Sequence, residues 1–538
     1  MSDATDQRPF AVITSIDRVN WATVAQILTA AVLVALPLLM PLGIGRDYPN
    51  HLARVFIQNN LTEHTLLSTN YVVEFFIVPD LAMDLFARPL AGLMDSYQIG
   101  AVFNAITLLL LFSAVVALHR RLSGGVDVWP CLAAAVLFNA ALLWGFMNFL
   151  FGAGLALWLF YAWVRTSERQ SLIRLLIFSV AQVVLFFCHL MGFLFLGYLI
   201  LVWELARMFG ARGGVSISAC KTFVLNMLQF VVPVGLFLQV LLGQEGVGSS
   251  ATRYGDLSAK AAVFLSPTAA LGQIAGPLIL LGCLCLGYWL LRSGHAKIAR
   301  PMIPIVLAVL ALTILMPNMV FGVWGLDFRF PFLLLLLTIA SIQITATGMT
   351  RRIASLACMA LTITALGAAA LAFHRTDRIH QDIRDAVATM QPSSNLLVAG
   401  SCPPSCPNCL DGWGDYIHAG SLAAIESQAF VPLLFTATSF VKASEAKRAL
   451  DVPYGTPLSR QALEQGLGRP LPPATEKHNP ARRYWYDWPN HFDYVLWLRV
   501  DDGETLDQFD QLTVVVENEG FVLYRVIRTS SAADRSIR

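Results

Sequence analysis

Apolar runs of roughly 17 to 24 residues, separated by short basic clusters, recur through residues 21–373. A helix needs about 20 apolar residues to cross the hydrocarbon of a bilayer, so the pattern confines the chain to a polytopic α-helical membrane protein. Composition agrees: 56% of the 538 residues are hydrophobic and mean hydropathy is +0.61, above the apolar share of soluble domains. A formal net charge of +2 argues against nucleic acid as a partner.

About eleven transmembrane helices are expected, at 22–42, 98–118, 127–145, 148–164, 172–188, 191–206, 219–242, 273–291, 301–316, 330–347 and 353–373. Lys and Arg gather at alternate connections: Arg120/Arg121, Arg165/Arg169/Arg174, Arg207/Arg212/Lys221, Arg292/Lys297/Arg300 and Arg351/Arg352. Cytoplasmic loops retain positive charge, which predicts an inner-membrane protein with its N-terminus inside and its tail outside. Three parts follow: a cytoplasmic N-terminus (1–20), a helical bundle (21–373) with a long first outside loop (43–97), and an extracytoplasmic soluble domain (374–538). Residues 1–20 are polar and mixed in charge and the first apolar run is of full spanning length, so that run reads as a retained anchor rather than a cleaved signal. In the tail, strands are expected at 395–400, 429–435, 492–500, 512–517 and 521–527, with a helix at 418–428. That order suggests a small α/β or α+β layer.

Ionisable residues at the membrane edge narrow the function. Arg46, Asp47, His51 and Arg54 crowd into nine residues directly after the first span. If the piece after Pro49 is helical, His51 and Arg54 share a face and Asp47 stands at its entrance. Asp47 is then either a helix cap or a carboxylate able to take a proton beside cations able to hold a phosphate. Further along the loop, Asp80, Asp84 and Arg88 recur every four residues, the pattern of a helix lying in the interface with a solvated stripe. The Gly/Ser-rich connection 243–272 carries Arg253 and reads as a lid or a plain connector. Asp327 and Arg329 sit at the edge of a leucine-rich span; they either neutralise each other, or Arg329 clamps a lipid-linked phosphate. His189, at the turn of a tight hairpin, is a packed residue or a substrate contact. Cys402, Cys406 and Cys409 lie within eight residues. On an oxidising side they read as a local disulfide with one thiol over, although His418 could complete a zinc set.

The layout resembles the GT-C superfamily of integral-membrane glycosyltransferases, which use polyprenyl-phosphate sugars. The resemblance rests on an acidic residue early in a long first outside loop (Asp47), interfacial helices at about 75–95, an arginine by an outer mouth (Arg329), and an outside C-terminal domain. Members with an Asp-Glu pair in this loop carry glutamate second; here Tyr48 follows Asp47. The resemblance implies Asp47 as general base in an inverting transfer. Arg46, His51, Arg54 and Arg329 would hold the phosphate, with Asp80, Asp84, His189, Arg253 and Asp327 as secondary candidates. The implied partners are membrane lipid, a polyprenyl-phosphate-linked sugar and a glycan or lipid acceptor. No metal ligand set is assigned, and a divalent cation remains open as a cofactor. Two other classes compete: a lipid or solute transporter, which calls for repeat symmetry and ionisable residues near the midplane, and a non-catalytic scaffold or glycan-binding protein of envelope assembly. Convergence of Asp47, His51 and Arg329 on one place favours the enzyme over the scaffold.

Overall fold

In the computed structural model the described residues are 20–169, 171–210, 216–243, 252–320, 323–401, 414–436, 439–452, 455–471, 483–499 and 505–528. Among them, seven helices are long and apolar enough to cross a membrane: Trp21–Leu39, Ser96–Ser123, Met147–Thr166, Leu190–Gly210, Ile217–Val240, Ala275–Arg292 and Gly348–Val387. Shorter apolar stretches at Trp129–Leu143, Leu172–Cys188 and Arg300–Leu315, and the helix Pro331–Ser341, fill the remaining expected positions.

The Ser96–Ser123 helix is central, packing on Trp21–Leu39, Met147–Thr166 and Pro331–Ser341. Its ends are written locally. Asp95 and Gln98 form a reciprocal capping box, and Gly124 closes the far end at φ 71° behind Arg120 and Arg121. The Ile217–Val240 and Ala275–Arg292 helices lie at the periphery and leave Val231, Val232, Leu281 and Leu284 exposed, as lipid-facing surfaces require.

The run at 127–145, expected as one span, is broken. A 3-10 turn Trp129–Leu132 leads into the helix Ala133–Leu137; the chain then bends at Phe138, and Asn139 caps a last turn, Ala140–Leu143. Residues 129–142 are all buried within the protein. Their hydrophobicity serves the protein interior rather than lipid, and Asn139 gives the backbone a start signal inside the run.

The Gly348–Val387 helix has 40 residues, about 60 Å long at 1.5 Å per residue. Position 374, where the composition changes, lies inside it, so one rigid element carries the bundle into the C-terminal part. There a four-stranded sheet runs in the order Leu396–Gly400, Tyr494–Leu498, Phe521–Val526, Leu512–Glu517, the first pair parallel and the others antiparallel. The strand expected at 429–435 is only a single bridge between Asn395 and Phe430; Pro432 has no N–H to offer a ladder. The helix expected at 418–428 shrinks to a 3-10 turn, Ala419–Leu422, followed by Ala423–Glu426.

The first loop and the C-terminal part interlock. Tyr71–Val73 pairs antiparallel with Val441–Ala443, and the buried Tyr71 hydroxyl donates to Ala429 O at 3.1 Å and accepts from Val431 N at 2.9 Å. Asn50, on the helix Tyr48–Asn60, accepts from Ser421 Oγ at 2.8 Å.

The amphipathic helix expected around 75–89 is confined to Ala82–Ala87. Pro79 precedes Asp80, which adopts φ 80°, and this corner ends any continuous helical period. Asp84 is therefore no solvated stripe; it is buried against Arg54.

Candidate functional site

Asp47 is held from both sides. Upstream, Leu42 donates its N–H to Asp377 Oδ1 at 2.8 Å, and His380 Nδ1 lies 2.8 Å from Leu42 O, anchoring the loop to the long helix. Downstream, Asp47 N donates to Trp144 O at 3.1 Å, in the turn created by the break in the 129–143 stretch. Gly145 makes that approach possible. At φ 77°, a Cβ on it would stand 2.7 Å from Gly45 O and 3.0 Å from Asp47 N, so no larger residue fits. Arg46, next to Asp47, is at φ 23°, a sparsely populated backbone state of the kind that clusters at functional sites.

Asp47 occupies the N-cap position of Tyr48–Asn60 yet makes no capping hydrogen bond. Its side chain is 14% accessible, and its Oδ1 stands 3.4 Å from His418 Nε2. Burial pushes its carboxyl up from 3.8 to about 7, with the charges of Arg46 and Arg329 acting against that rise. A base of that strength is half ionised at neutral pH, where general-base catalysis is most effective.

The two cations rest on an aromatic wall. Arg46 lies 4.0 Å over the Trp144 ring and Arg329 4.5 Å over Phe146. Trp144 meets Trp324 edge-on at 4.6 Å, and Phe146 stacks on Phe328 at 5.8 Å. Arg329 is buried. Its Nη2 donates to Trp324 O at 3.4 Å, and among the described residues no carboxylate lies within ion-pair distance of it. Burial lowers its affinity for a proton to about 10, while Asp80 and Asp47 act the other way. A guanidinium held there would gain from an incoming anion.

Three histidines surround the carboxylates. His51 Nδ1 faces Arg54 Nη1 at 3.5 Å; arginine only donates, so Nδ1 accepts and the ring proton is on Nε2. Burial, with Arg54 second, pushes His51 down to about 3, so it offers a hydrogen-bond donor and no positive charge. His189 forms a one-residue corner between two helices, where Gly152 and Gly192 pack within a Cβ's reach of each other. Its Nδ1 accepts from Met191 N at 3.0 Å and its Nε2 meets Asp80 Oδ1 at 3.2 Å. Asp80 is 51% accessible and marks the open side of the cluster. His418 is held down to about 4 by burial. Both His51 and His418 pack edge-on against Phe435.

Other predicted residues are placed elsewhere. Arg54 is bound by Asp84 through two hydrogen bonds of 2.8 and 2.7 Å, and Gln58 also donates to Asp84. Its charge is already paired with Asp84. Asp327 pairs with Lys260 at 3.1 Å rather than with Arg329, and also accepts from Asn318 at 3.1 Å. Asp327 therefore ties the helix Leu257–Val263 to the Trp324 segment, and Arg329 has no carboxylate partner among the described residues. Arg253 contributes a backbone bridge to Met319, so this part of the 243–272 connection is attached to the wall. Cys402, Cys406 and Cys409 lie outside the described residues, as do 1–19 and 244–251. Among the described residues, no group of three His, Cys, Asp or Glu could hold a metal ion.

Sequence reasoning named Arg46, Asp47, His51, Asp80, His189 and Arg329, and these six form one electrostatic cluster. It missed His418 in this role, having read it only beside the cysteines. No spacing signal links positions 371 residues apart.

No family model matches this chain, and no curated protein does either. Among solved structures, the chain is similar to the crystal structure of ArnT from Cupriavidus metallidurans bound to undecaprenyl phosphate. The TM-score is 0.49 at 11% identity, covering 94% of this chain and 98% of that one. So loose a likeness carries no weight for the site. The class defined by this chain's own residues is a polytopic membrane protein with a buried acid–base and arginine cluster between its helical bundle and a C-terminal sheet.

Proposed function

We propose that this protein is a GT-C-type membrane glycosyltransferase that moves a sugar from a polyprenyl-phosphate donor to an acceptor hydroxyl, inverting the anomeric centre. The observation that carries this reading is Asp47: a carboxylate raised to about 7 beside two buried arginines, one of them without a carboxylate partner among the described residues. The donor is a phosphodiester bearing one negative charge, and its departing polyprenyl phosphate gains more. A site whose histidines are neutral and whose Arg54 is already paired leaves Arg329 as a buried cation without a carboxylate partner among the described residues, with Arg46 beside it on the aromatic wall.

In the proposed reaction Asp47 takes the acceptor's hydroxyl proton and becomes neutral. The acceptor oxygen forms its bond to the anomeric carbon as the bond from that carbon to the phosphate oxygen breaks. The electron pair leaves with the phosphate, where Arg329 and Arg46 stabilise it. His51 Nε2 supplies a neutral donor. We place the site on the extracytoplasmic side of the inner membrane, following the distribution of Lys and Arg. The acceptor is a glycan or a lipid.

The test is purified protein in lipid nanodiscs with a panel of undecaprenyl-phosphate sugars and a membrane lipid extract as acceptor source, measuring release of undecaprenyl phosphate. Asp47→Asn should insert and fold like the wild type and release no lipid phosphate. A wild-type rate in Asp47→Asn would remove Asp47 from the chemistry.

A further inference from the structure

The catalytic carboxylate proposed above does not meet only residues of its own loop. His418 comes from the C-terminal part, on the segment just before Ala419–Leu422, and three contacts deliver it. Thr376 Oγ1 donates to Asp415 Oδ2 at 2.6 Å, His380 Nε2 lies 2.9 Å from Asp415 O, and Ser421 Oγ donates to Asn50 Oδ1 at 2.8 Å. The long bundle helix and the helix that follows Asp47 thus grip the chain on both sides of His418. Its side chain is 8% accessible. Phe435 covers one side of the ring, its Nδ1 is buried without a hydrogen-bond partner, and its Nε2 stands 3.4 Å from Asp47 Oδ1.

We propose that His418 is the positioning residue of Asp47: its Nε2–H donates to Oδ1 of the ionised carboxylate and leaves Oδ2 to take the acceptor's proton. The inference rests on the reading of Asp47 as the base. The tautomer follows from the surroundings. A proton on Nδ1 would bury an unpaired N–H and set two acceptors against each other at Nε2; a proton on Nε2 leaves only a bare lone pair unsatisfied. The 3.4 Å separation is long for a hydrogen bond, as acid–base contacts often are before substrate enters. Arg46 and Arg329 act on Asp47 from the loop and from the Trp324 segment, and both favour its ionised form. Among the described residues, His51, Asp80 and His189 are further titratable neighbours of this cluster, and the Asp415 carboxylate lies against Gly45. His418 adds a directional donor to these non-directional charges, and makes the C-terminal part a component of the site rather than an appendage.

The test follows the protonated-carboxyl infrared band of Asp47 in full-length protein in nanodiscs. The band is identified as the one absent from Asp47→Asn and is titrated without any sugar donor. Removing a donor to a carboxylate raises its pKa. His418→Phe should therefore move the midpoint upward by about one pH unit, with the acid limb of transfer following it, and His418→Gln, which keeps an N–H donor, should restore both. If His418→Phe fails to fold, His418→Leu serves in its place. An unchanged midpoint in the apolar variant, an equal shift in the glutamine variant, or no titrating Asp47 band between pH 5 and 9 would each overturn the proposal. Because the band is read without donor, that failure is distinct from failure of the transfer reading, which Asp47→Asn activity decides.

Discussion

Asp47, Arg329 and His51 each sit against a physical preference, and the proposed reaction gives each departure a use. A carboxylate raised to about 7 is destabilising in the folded state, because folding takes its charge out of water. The sign is fixed by the direction of the shift. The folded protein holds the proton more tightly than the unfolded chain, whose carboxyl titrates near 3.8. Stability is therefore highest below about 4, falls as pH rises to about 7, and is flat above it. Asp47→Asn lacks that fall. Its melting temperature should exceed that of the wild type by a margin that grows from pH 5 to pH 8, where it represents at most about 4–5 kcal/mol at roughly 1.4 kcal/mol per unit. A margin independent of pH would mean that Asp47 has an ordinary carboxyl. Arg329 makes the complementary case. Arg329→Ala should leave the fold intact, since among the described residues no carboxylate is ion-paired with it, and should slow transfer by about 100-fold or more, the usual effect of removing a transition-state donor. A loss confined to KM would instead assign Arg329 to ground-state binding.

At the scale of elements, one buried ion pair joins two short helices of the first loop. Arg54 on Tyr48–Asn60 and Asp84 on Ala82–Ala87 are both almost fully buried. Removing either partner alone leaves a charge without compensation and should cost about 3–5 kcal/mol. Arg54→Met combined with Asp84→Leu should recover much of that loss, measured by thermal unfolding in detergent. Failure of the double variant to recover would show that the pair does more than join the two helices. This pair also marks where the sequence is hard to read. The period of four at Asp80, Asp84 and Arg88 is real, but Pro79 and the positive φ of Asp80 break the helix on which the period depends. The break at Phe138–Asn139 is hidden for a related reason: a run of Ala, Val and Leu has the same hydrophobicity whether protein or lipid surrounds it. The spans themselves were legible because a bilayer's thickness imposes a length. The identity of each ion-pair partner was not, because Asp327 pairs with Lys260, 67 positions away, while only Arg329 is nearby in sequence.

The whole molecule is two layers joined by one 40-residue helix and by interlocking of the first loop with the C-terminal sheet. Six site residues could be named from their position at membrane edges, where a charge has to find either a partner or a function. The seventh, His418, arrives through tertiary structure alone. The central claim is that this junction holds a lipid-linked phosphate between Arg329 and Arg46, within reach of Asp47. The most direct measurement is an experimental structure of the protein in nanodiscs with undecaprenyl phosphate. The account predicts phosphate density against the Arg329 guanidinium on the Trp144–Phe146 wall, with the prenyl tail leaving between helices. Phosphate density at the opposite end of the bundle, or on its lipid-facing surface away from Arg329, would contradict it.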